Sequence, residues 1–512
     1  LINILIGIMS TKDIAKHHFD LTGLFSASSK YWQESKASSR TFPNDNLGWG
    51  NLESGSTQSV ESQADMRRLQ SWMGRLNYNF DSRYLFTATI RRDASSVFGE
   101  NSKWGNFPSF AVGWNVTREK FAKPVTDVLN NLKLRASWGY SGNASLGVYS
   151  SLFQMASSTL AMNGGSTTSM KVGTRMGNST LHWERTKGLN VAADFGLWNN
   201  RINGTIEYYN RTTDGILLSQ NLTQISGYAN VYNNIGTINN KGIEITLNTT
   251  NINIKNFRWN STIVFAKNKN KWVEVYGNGV EDLSNRWFIG KPLGVIYDYT
   301  KVGIWQESEI GKTKAQGGNI GWDDTALAGD LKLADLNNDG KIDDKDRSIL
   351  GQTDPKWTGG LTNTFSYKNF NLSIFIQTSQ GAMANNNVIG TASDEMGRRN
   401  GPAEVGFWTP ANKSNEWRSL GNHSNSHGYG FPCDASYTRI KDVTLSYNLP
   451  SNVLTKLGLS AAQVYVSGRN LYTFTNWVGW DPEARYDGRG SGNWDINYPV
   501  TRDLVVGLNV TF

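Results

Sequence analysis

The chain has 512 residues, of which 38% are hydrophobic, and its 51 Lys and Arg against 43 Asp and Glu give a net charge of +8. No stretch approaches the roughly 18 continuous apolar residues that a membrane-spanning helix needs. The single cysteine, Cys433, excludes an internal disulfide framework and a cysteine-based metal site, and the positive charge is spread out rather than gathered into a patch for nucleic acid.

Aromatic residues make up 12% of the chain, Gly numbers 52 against 11 Pro, and charged residues reach only 18%, against about 25% in ordinary soluble domains. That mixture suits a large antiparallel sheet. A strand that crosses a membrane needs only about 9–11 residues with every second one apolar, so its average composition is polar.

The N-terminal run Leu1 to Met9 has the apolarity of a signal h-region but neither a preceding basic segment nor a small-residue cleavage site. It reads equally as part of a strand. Residues 1–70 are expected to hold the first strand or strands and a long loop, and 71–512 the bulk of the sheet. From Trp72 the period is two: Trp72, Gly74, Leu76, Tyr78 and Phe80 alternate with Met73, Arg75, Asn77 and Asn79. After the turn Asp81-Ser82, Tyr84, Phe86, Ala88 and Ile90 take one face, and Arg83, Thr87, Thr89 and Arg91 the other.

The pattern recurs down the chain. Leu189, Val191, Ala193, Phe195 and Leu197 lead through Asn199-Asn200 to Ile202, Gly204, Ile206 and Tyr208. Ile243, Ile245 and Leu247 precede a polar Asn-Thr region read as a turn, then Phe257, Trp259, Ile263 and Phe265. Val443, Leu445, Tyr447 and Leu449 precede Val464 and Val466, and Val506, Leu508, Val510 and Phe512 end the chain. No helix of ordinary length is expected.

Alternation alone also describes a soluble sandwich. Two details favour a membrane barrel. Tight turns alternate with long loops at 92–106, 141–180, 211–240 and 379–435, the asymmetry of outer-membrane barrels. Tyr84, Trp138, Tyr140, Trp198, Tyr208, Tyr209, Trp259 and Trp477 sit at strand ends, where interfacial girdles lie. The fold class is therefore all-β: a large antiparallel transmembrane β-barrel with long extracellular loops. Its roughly 14–16 strands compare with about 22 in plugged transporters.

Several segments, in order, resemble the SusC/RagA class of TonB-dependent outer-membrane transporters. They include GRLNYNFDSRYLFTATIRRDASSVFGENSKWGNFPSFAVGW (74–114), LKLRASWGYSGN (132–143) and LHWERTKGLNVAADFGLWNNRINGTIEYYNRTTDGIL (181–217). NIGTINNKGIEITLN (234–248), PLGVIYDYTKVGIWQ (292–306) and the long run from 329 to 375 follow, then YTRIKDVTLSYNLP (437–450) and GRNLYTFTNWVGWDPE (468–483).

The resemblance implies an integral outer-membrane location, uptake of oligosaccharides or peptides, a SusD-like surface lipoprotein as partner and energy from TonB. It also implies an N-terminal plug, and that the terminal alternating strand is read by the barrel-assembly machinery. No segment here matches the plug, the TonB box or an export signal, so the chain is expected to be the C-terminal two-thirds or so of a barrel, with TonB acting through a missing N-terminal region. Two other readings compete: a plugless passive pore or barrel adhesin, and a soluble β-rich carbohydrate-binding protein whose alternating faces bury a core.

One motif carries chemistry. Residues 335–346 fit the twelve-residue calcium loop, with Asp335, Asn337 and Asp339 at positions 1, 3 and 5, Gly340 at the sharp turn, the Lys341 carbonyl at 7, Asp343 at 9 and Asp346 at 12. An EF-hand has Glu at position 12, and Asp346 reaches an ion less easily with both oxygens. The competing reading is an Asx-rich external turn. A bound Ca2+ would be structural.

Nothing else suggests an enzyme. His17, His18, His182, His423 and His427 lack metal-ligand spacing; His423 and His427, four apart, lie in an Asn/Ser/Gly-rich loop. Asp394, Glu395 and Glu483 are read as solvated loop carboxylates. Trp287, Phe288, Trp305, Trp322, Phe407, Trp408 and Trp417 could stack on sugars, but loop packing explains each more simply.

Overall fold

The structure is a computed structural model that describes residues 2–44, 46, 50–162, 165–386, 389–390, 405–420, 427–483 and 499–512. Among these, fifteen strands pair in sequence order into one antiparallel sheet. We number them β1 (Ile2–Ile14), β2 (His17–Arg40), β3 (Thr57–Phe80), β4 (Tyr84–Ser95), β5 (Trp104–Asn115), β6 (Leu129–Asn143), β7 (Glu184–Leu197) and β8 (Ile202–Asp214). The sheet continues with β9 (Thr237–Ile254), β10 (Phe257–Glu274), β11 (Trp357–Tyr367), β12 (Phe370–Gln380), β13 (Tyr437–Asn448), β14 (Ala461–Thr475) and β15 (Asp503–Thr511). The N-terminal apolar run is thus a strand.

Register makes the alternation two-dimensional. Ala193 stands opposite Ile206, Ile206 opposite Ile245 and Ile245 opposite Phe265, an apolar row across β7 to β10. One residue along, Asp194 faces Thr205 and Glu207 faces Glu244. Because the side-chain period is two, one face is mainly apolar and the other mainly polar. The apolar side is open to its surroundings, with Ile206, Ile243, Val464 and Leu508 all exposed. A soluble sandwich would bury that face. Here it is the lipid surface of an outer-membrane barrel wall.

Aromatic rings band this face at both ends. Near the short turns, Phe80 and Tyr84, Trp259 and Phe365, and Phe370 and Tyr447 pair with centroids 6.3, 5.6 and 4.6 Å apart. Near the long loops stand Phe25 with Trp72 and Phe110 with Trp138, at 4.5 and 6.1 Å. Two residues leave the expected girdle. Tyr209 points to the polar face, opposite Gly242, and Trp477 packs under Ala382, Ala384 and Ala435 in the loop layer.

The connections alternate strictly. At one end lie 15–16, 81–83, 116–128, 198–201, 255–256, 368–369 and 449–460, the last with the short helix α1 (Ser451–Leu457). Positive φ at Asp81 and Ser82 (53° each) lets the turn follow the strand twist. The Asn-Thr region read as a turn is strand: β9 runs on to Ile254 and turns at 255–256. At the other end lie 41–56, 96–103, 144–183, 215–236, 275–356, 381–436 and 476–502.

Candidate functional site

Two surfaces could meet a solute: the polar wall and the layer folded from the long loops. Several of the wall's polar side chains are joined to one another. Arg91 Nε donates to both oxygens of Asp93 at 2.8 and 2.9 Å. Arg135 bridges Asp194 at 3.1 Å and Glu207 at 3.0 Å, placing a cation where two carboxylates from neighbouring strands converge. The Tyr209 hydroxyl donates to Asn268 at 3.0 Å, and the Thr444 and Ser467 hydroxyls donate to Asp442 at 2.8 and 3.0 Å. A wall so cross-linked holds its shape against water.

The long loops fold into cores of their own. Tyr299, Ile304, Leu331, Leu333, Ile389, Val405, Trp408, Tyr429 and Phe431 are buried together, with Ala328, Phe407, Trp417 and Val478 packed against them. A second core joins Val97, Phe98, Ala144, Leu146 and Leu181. Most of the aromatics that could have stacked on sugars are spent here. Trp305 is fully buried, Trp408 donates to Gln306 at 2.9 Å, and Trp322 donates to the Leu333 carbonyl at 2.9 Å. Lys332 lies 4.3 Å above the Trp305 ring and pairs with Glu309 at 2.7 Å.

Asp298 is buried in this layer and accepts from the Tyr299 and Gly430 amides at 2.7 and 2.8 Å. Burial pushes its carboxyl above the usual range, against the pull of those amides and of Arg347.

A strap at the start of 476–502 ties the layer to the wall. Arg439 of β13 is fully buried and donates through Nη2 to both oxygens of Asp481 at 2.9 Å. It also meets Glu483 and donates to Thr473 at 2.8 Å. Glu483 further accepts from the Tyr437 hydroxyl at 2.7 Å, so it is a partner in a buried cluster and not a solvated loop carboxylate. Five residues earlier, the Val478 carbonyl accepts from Asn386 at 2.7 Å inside the loop core. No local sequence pattern marks this cluster, since Arg439 lies 42 and 44 residues from its carboxylate partners Asp481 and Glu483.

The 335–346 loop is compact and internally bonded. The Asp335 carboxylate pairs with Lys314 at 2.7 Å and accepts from the Asp339 and Gly340 amides at 3.2 and 3.1 Å. Lys314 holds this carboxyl below the usual range, with help from the Gly340 and Asn338 amides. Asn337 donates to Asp339 at 2.9 Å, and the Lys341 amide donates to Asp339 at 3.0 Å. Asp343 caps a 3-10 turn by accepting from the Lys345 amide at 2.8 Å. Asp346 is fully buried and accepts from the Leu336 and Asp343 amides at 2.8 and 2.9 Å. Gly340 has φ +80°. The motif residues therefore share one compact loop, with a lysine ammonium against the first carboxylate, and among the described residues no three carboxylates converge as metal ligands would.

The histidines are dispersed. His17 contacts the Tyr78 hydroxyl at 2.8 Å, His18 lies beside Asp13 and Asp20, and His427 is 3.5 Å from Asp323. His182 bonds the Trp183 carbonyl at 3.1 Å. His423, Asp394 and Glu395 lie outside the described residues.

With this geometry in place, comparison with known proteins is informative. The family model for the TonB dependent receptor-like β-barrel matches residues 10–471. TonB-dependent receptor P3 of Formosa agariphila is 33% identical over 527 residues, covering 98% of this chain and 51% of the relative. TonB-dependent receptor SusC of Bacteroides thetaiotaomicron is 29% identical over 472 residues, covering 88% of this chain and 44% of SusC. A solved structure of the RagAB peptide transporter superposes over 100% of this chain and 55% of that one, with TM-score 0.79 at 23% identity, a likeness of fold. The chain thus spans about half the length of the curated relatives it matches.

Proposed function

The chain belongs to the TonB-dependent receptor family, whose barrel model covers residues 10–471, and on that premise we propose that it forms fifteen strands of a SusC-like importer for oligosaccharides or peptides. The sheet's orientation carries this reading. Its apolar face meets lipid, its cross-linked polar face lines the path, and its folded loops crowd one end, outside the cell. A SusD-like lipoprotein would dock on that loop layer and TonB would act from the short-turn end. Support for peptide comes from the RagAB peptide transporter, and oligosaccharide is what the resemblance of the sequence segments to the SusC/RagA class implies.

Within this reading a structural calcium ion occupies the 335–346 loop. It takes the place of the Lys314 ammonium on Asp335, with Asn337, Asp339, the Lys341 carbonyl, Asp343 and Asp346 as further oxygen donors. The order of donors and the left-handed Gly340 support it; the ion must outcompete Lys314.

Deletion of the gene followed by growth on single oligosaccharide or peptide sources tests the transport reading. Growth on one class should fail, and the intact gene should restore it only where TonB is present. Unchanged growth on both classes contradicts the proposal. Restoration without TonB contradicts it too, in favour of a passive pore.

A further inference from the structure

Two glycines on the polar face of this sheet are covered by a neighbour's ring. Tyr209 lies over Gly242 and Tyr465 over Gly507, each so closely that an added Cβ would collide with the ring. Glycine weakens a strand, and a ring laid over it restores the missing packing. On the lipid face, Gly23 and Gly74 face each other directly in register and nothing covers them. A Cβ on Gly23 would meet nothing within 4 Å, and one on Gly74 only the Ile90 Cγ2 at 3.9 Å.

These two glycines floor a groove of about 510 Å³, within the range of small-molecule sites, walled by Ile6, Ile8, Ile90 and the Phe25–Trp72 ring pair. It continues outward into a second hollow of about 470 Å³ between Ile4 and Leu69. Cations stand along its outer end: Arg92 lines the first hollow, Arg68 and Lys103 the second. Arg92 lies 4.9 Å over the Trp104 ring. None of the three is paired with a carboxylate among the described residues. Arg92 stands opposite Trp72, eight residues up β3 from Phe80 of the inner girdle. That is roughly 26 Å of strand, or about 20 Å of height at the usual tilt, which puts Arg92 in the outer part of the apolar band, toward its edge.

We infer that this groove is a specific lipid site, which takes an acyl chain against Gly23 and Gly74 and the phosphate of its headgroup against Arg92, Arg68 and Lys103. Apolarity alone selects nothing inside a membrane, because lipid tails are as apolar as Leu. Selection comes from shape, through contacts that an empty hollow would forfeit, and from charge at the headgroup level. The inference needs the outer-membrane setting of the wall but is independent of the transported substrate.

Native mass spectrometry of the full-length receptor in detergent tests it, with diphosphoryl lipid A, its dephosphorylated form and inorganic phosphate as probes. The phosphorylated lipid should be retained preferentially, and inorganic phosphate should neither bind nor compete. Arg68→Gln with Arg92→Gln should remove most of that preference, roughly 25-fold at about fivefold per cation. Gly23→Val with Gly74→Val should weaken retention of both lipids. Equal retention of the two lipids by the native protein overturns the inference, as does competition by inorganic phosphate. Should the glycine variant fail to assemble, the arginine variant decides alone, since both arginines are exposed and neither pairs with a carboxylate among the described residues.

Discussion

Arg439 and Asp481 lie 42 residues apart in sequence, yet the guanidinium Nη2 donates to both carboxylate oxygens at 2.9 Å and no part of Arg439 reaches solvent. The pair seals the strap 476–483 against the wall, and Val478 carries that strap into the core of the loop layer. Breaking one partner of a buried pair strands a charge, at about 3–5 kcal/mol. Arg439→Met should therefore release the strap, read as faster protease cleavage and amide exchange over 476–483. Adding Asp481→Asn and Glu483→Gln should recover part of the loss, because no charge is then stranded. A triple variant as labile as the single one would contradict this account.

Gly242→Ala should be more harmful than its size suggests. Its Cβ would collide with the Tyr209 ring and hydroxyl, and the hydrogen bond to Asn268 at 3.0 Å would be lost with the ring's displacement. Overpacking of this kind costs about 1–3 kcal/mol, read as a lower unfolding midpoint in urea. Tyr209→Ala in the same background should relieve only the part of the clash due to the ring, because the Lys267 backbone carbonyl also meets that Cβ and stays in place.

The 335–346 loop should respond to acid and to calcium. Asp335 is held below the usual carboxylate range by Lys314. Its contribution is therefore complete above about pH 4 and lost as pH falls through its lowered value. Amide exchange over the loop should rise only in that acidic window. At neutral pH, millimolar calcium should slow exchange there, and Asp346→Asn should abolish the response. No saturable effect of calcium would remove the ion from the account.

Membrane orientation predicts opposite fates for adjacent substitutions. Arginine at Ile245, on the lipid face, should cost about 2–4 kcal/mol or block assembly. Arginine at Thr246, on the polar face one residue along, should be tolerated. Equal outcomes would mean that the two faces are not distinguished by lipid.

How far the sequence is legible follows the range of the interactions. Tyr84, Phe86, Ala88 and Ile90 announce their face because the signal repeats every second residue, and the strands so read are the strands found. Tyr209 cannot join Tyr208 in the girdle: two adjacent tyrosines do not share a face, and the alternation that gives Tyr208 to the apolar side gives Tyr209 to the polar one, opposite Gly242. The loop layer is nearly silent. Trp408 packs where Gln306 and Ile304 wait for it, about a hundred residues away, and no local period encodes such a meeting. The motif at 335–346 is readable as a loop, but Lys314 at its first carboxylate is not, because it arrives from another turn.

Single-cysteine accessibility along β9 tests the central claim most directly. In a Cys433→Ala background of the full-length receptor, cysteines are placed one at a time at Ile243, Glu244, Ile245, Thr246, Leu247 and Asn248 in intact cells. A water-soluble maleimide should label 244, 246 and 248 and spare 243, 245 and 247, while a lipid-borne quencher should reach only the odd set once it carries a fluorophore. Uniform labelling, or uniform protection of both sets, would contradict a sheet with lipid on one side and an aqueous path on the other.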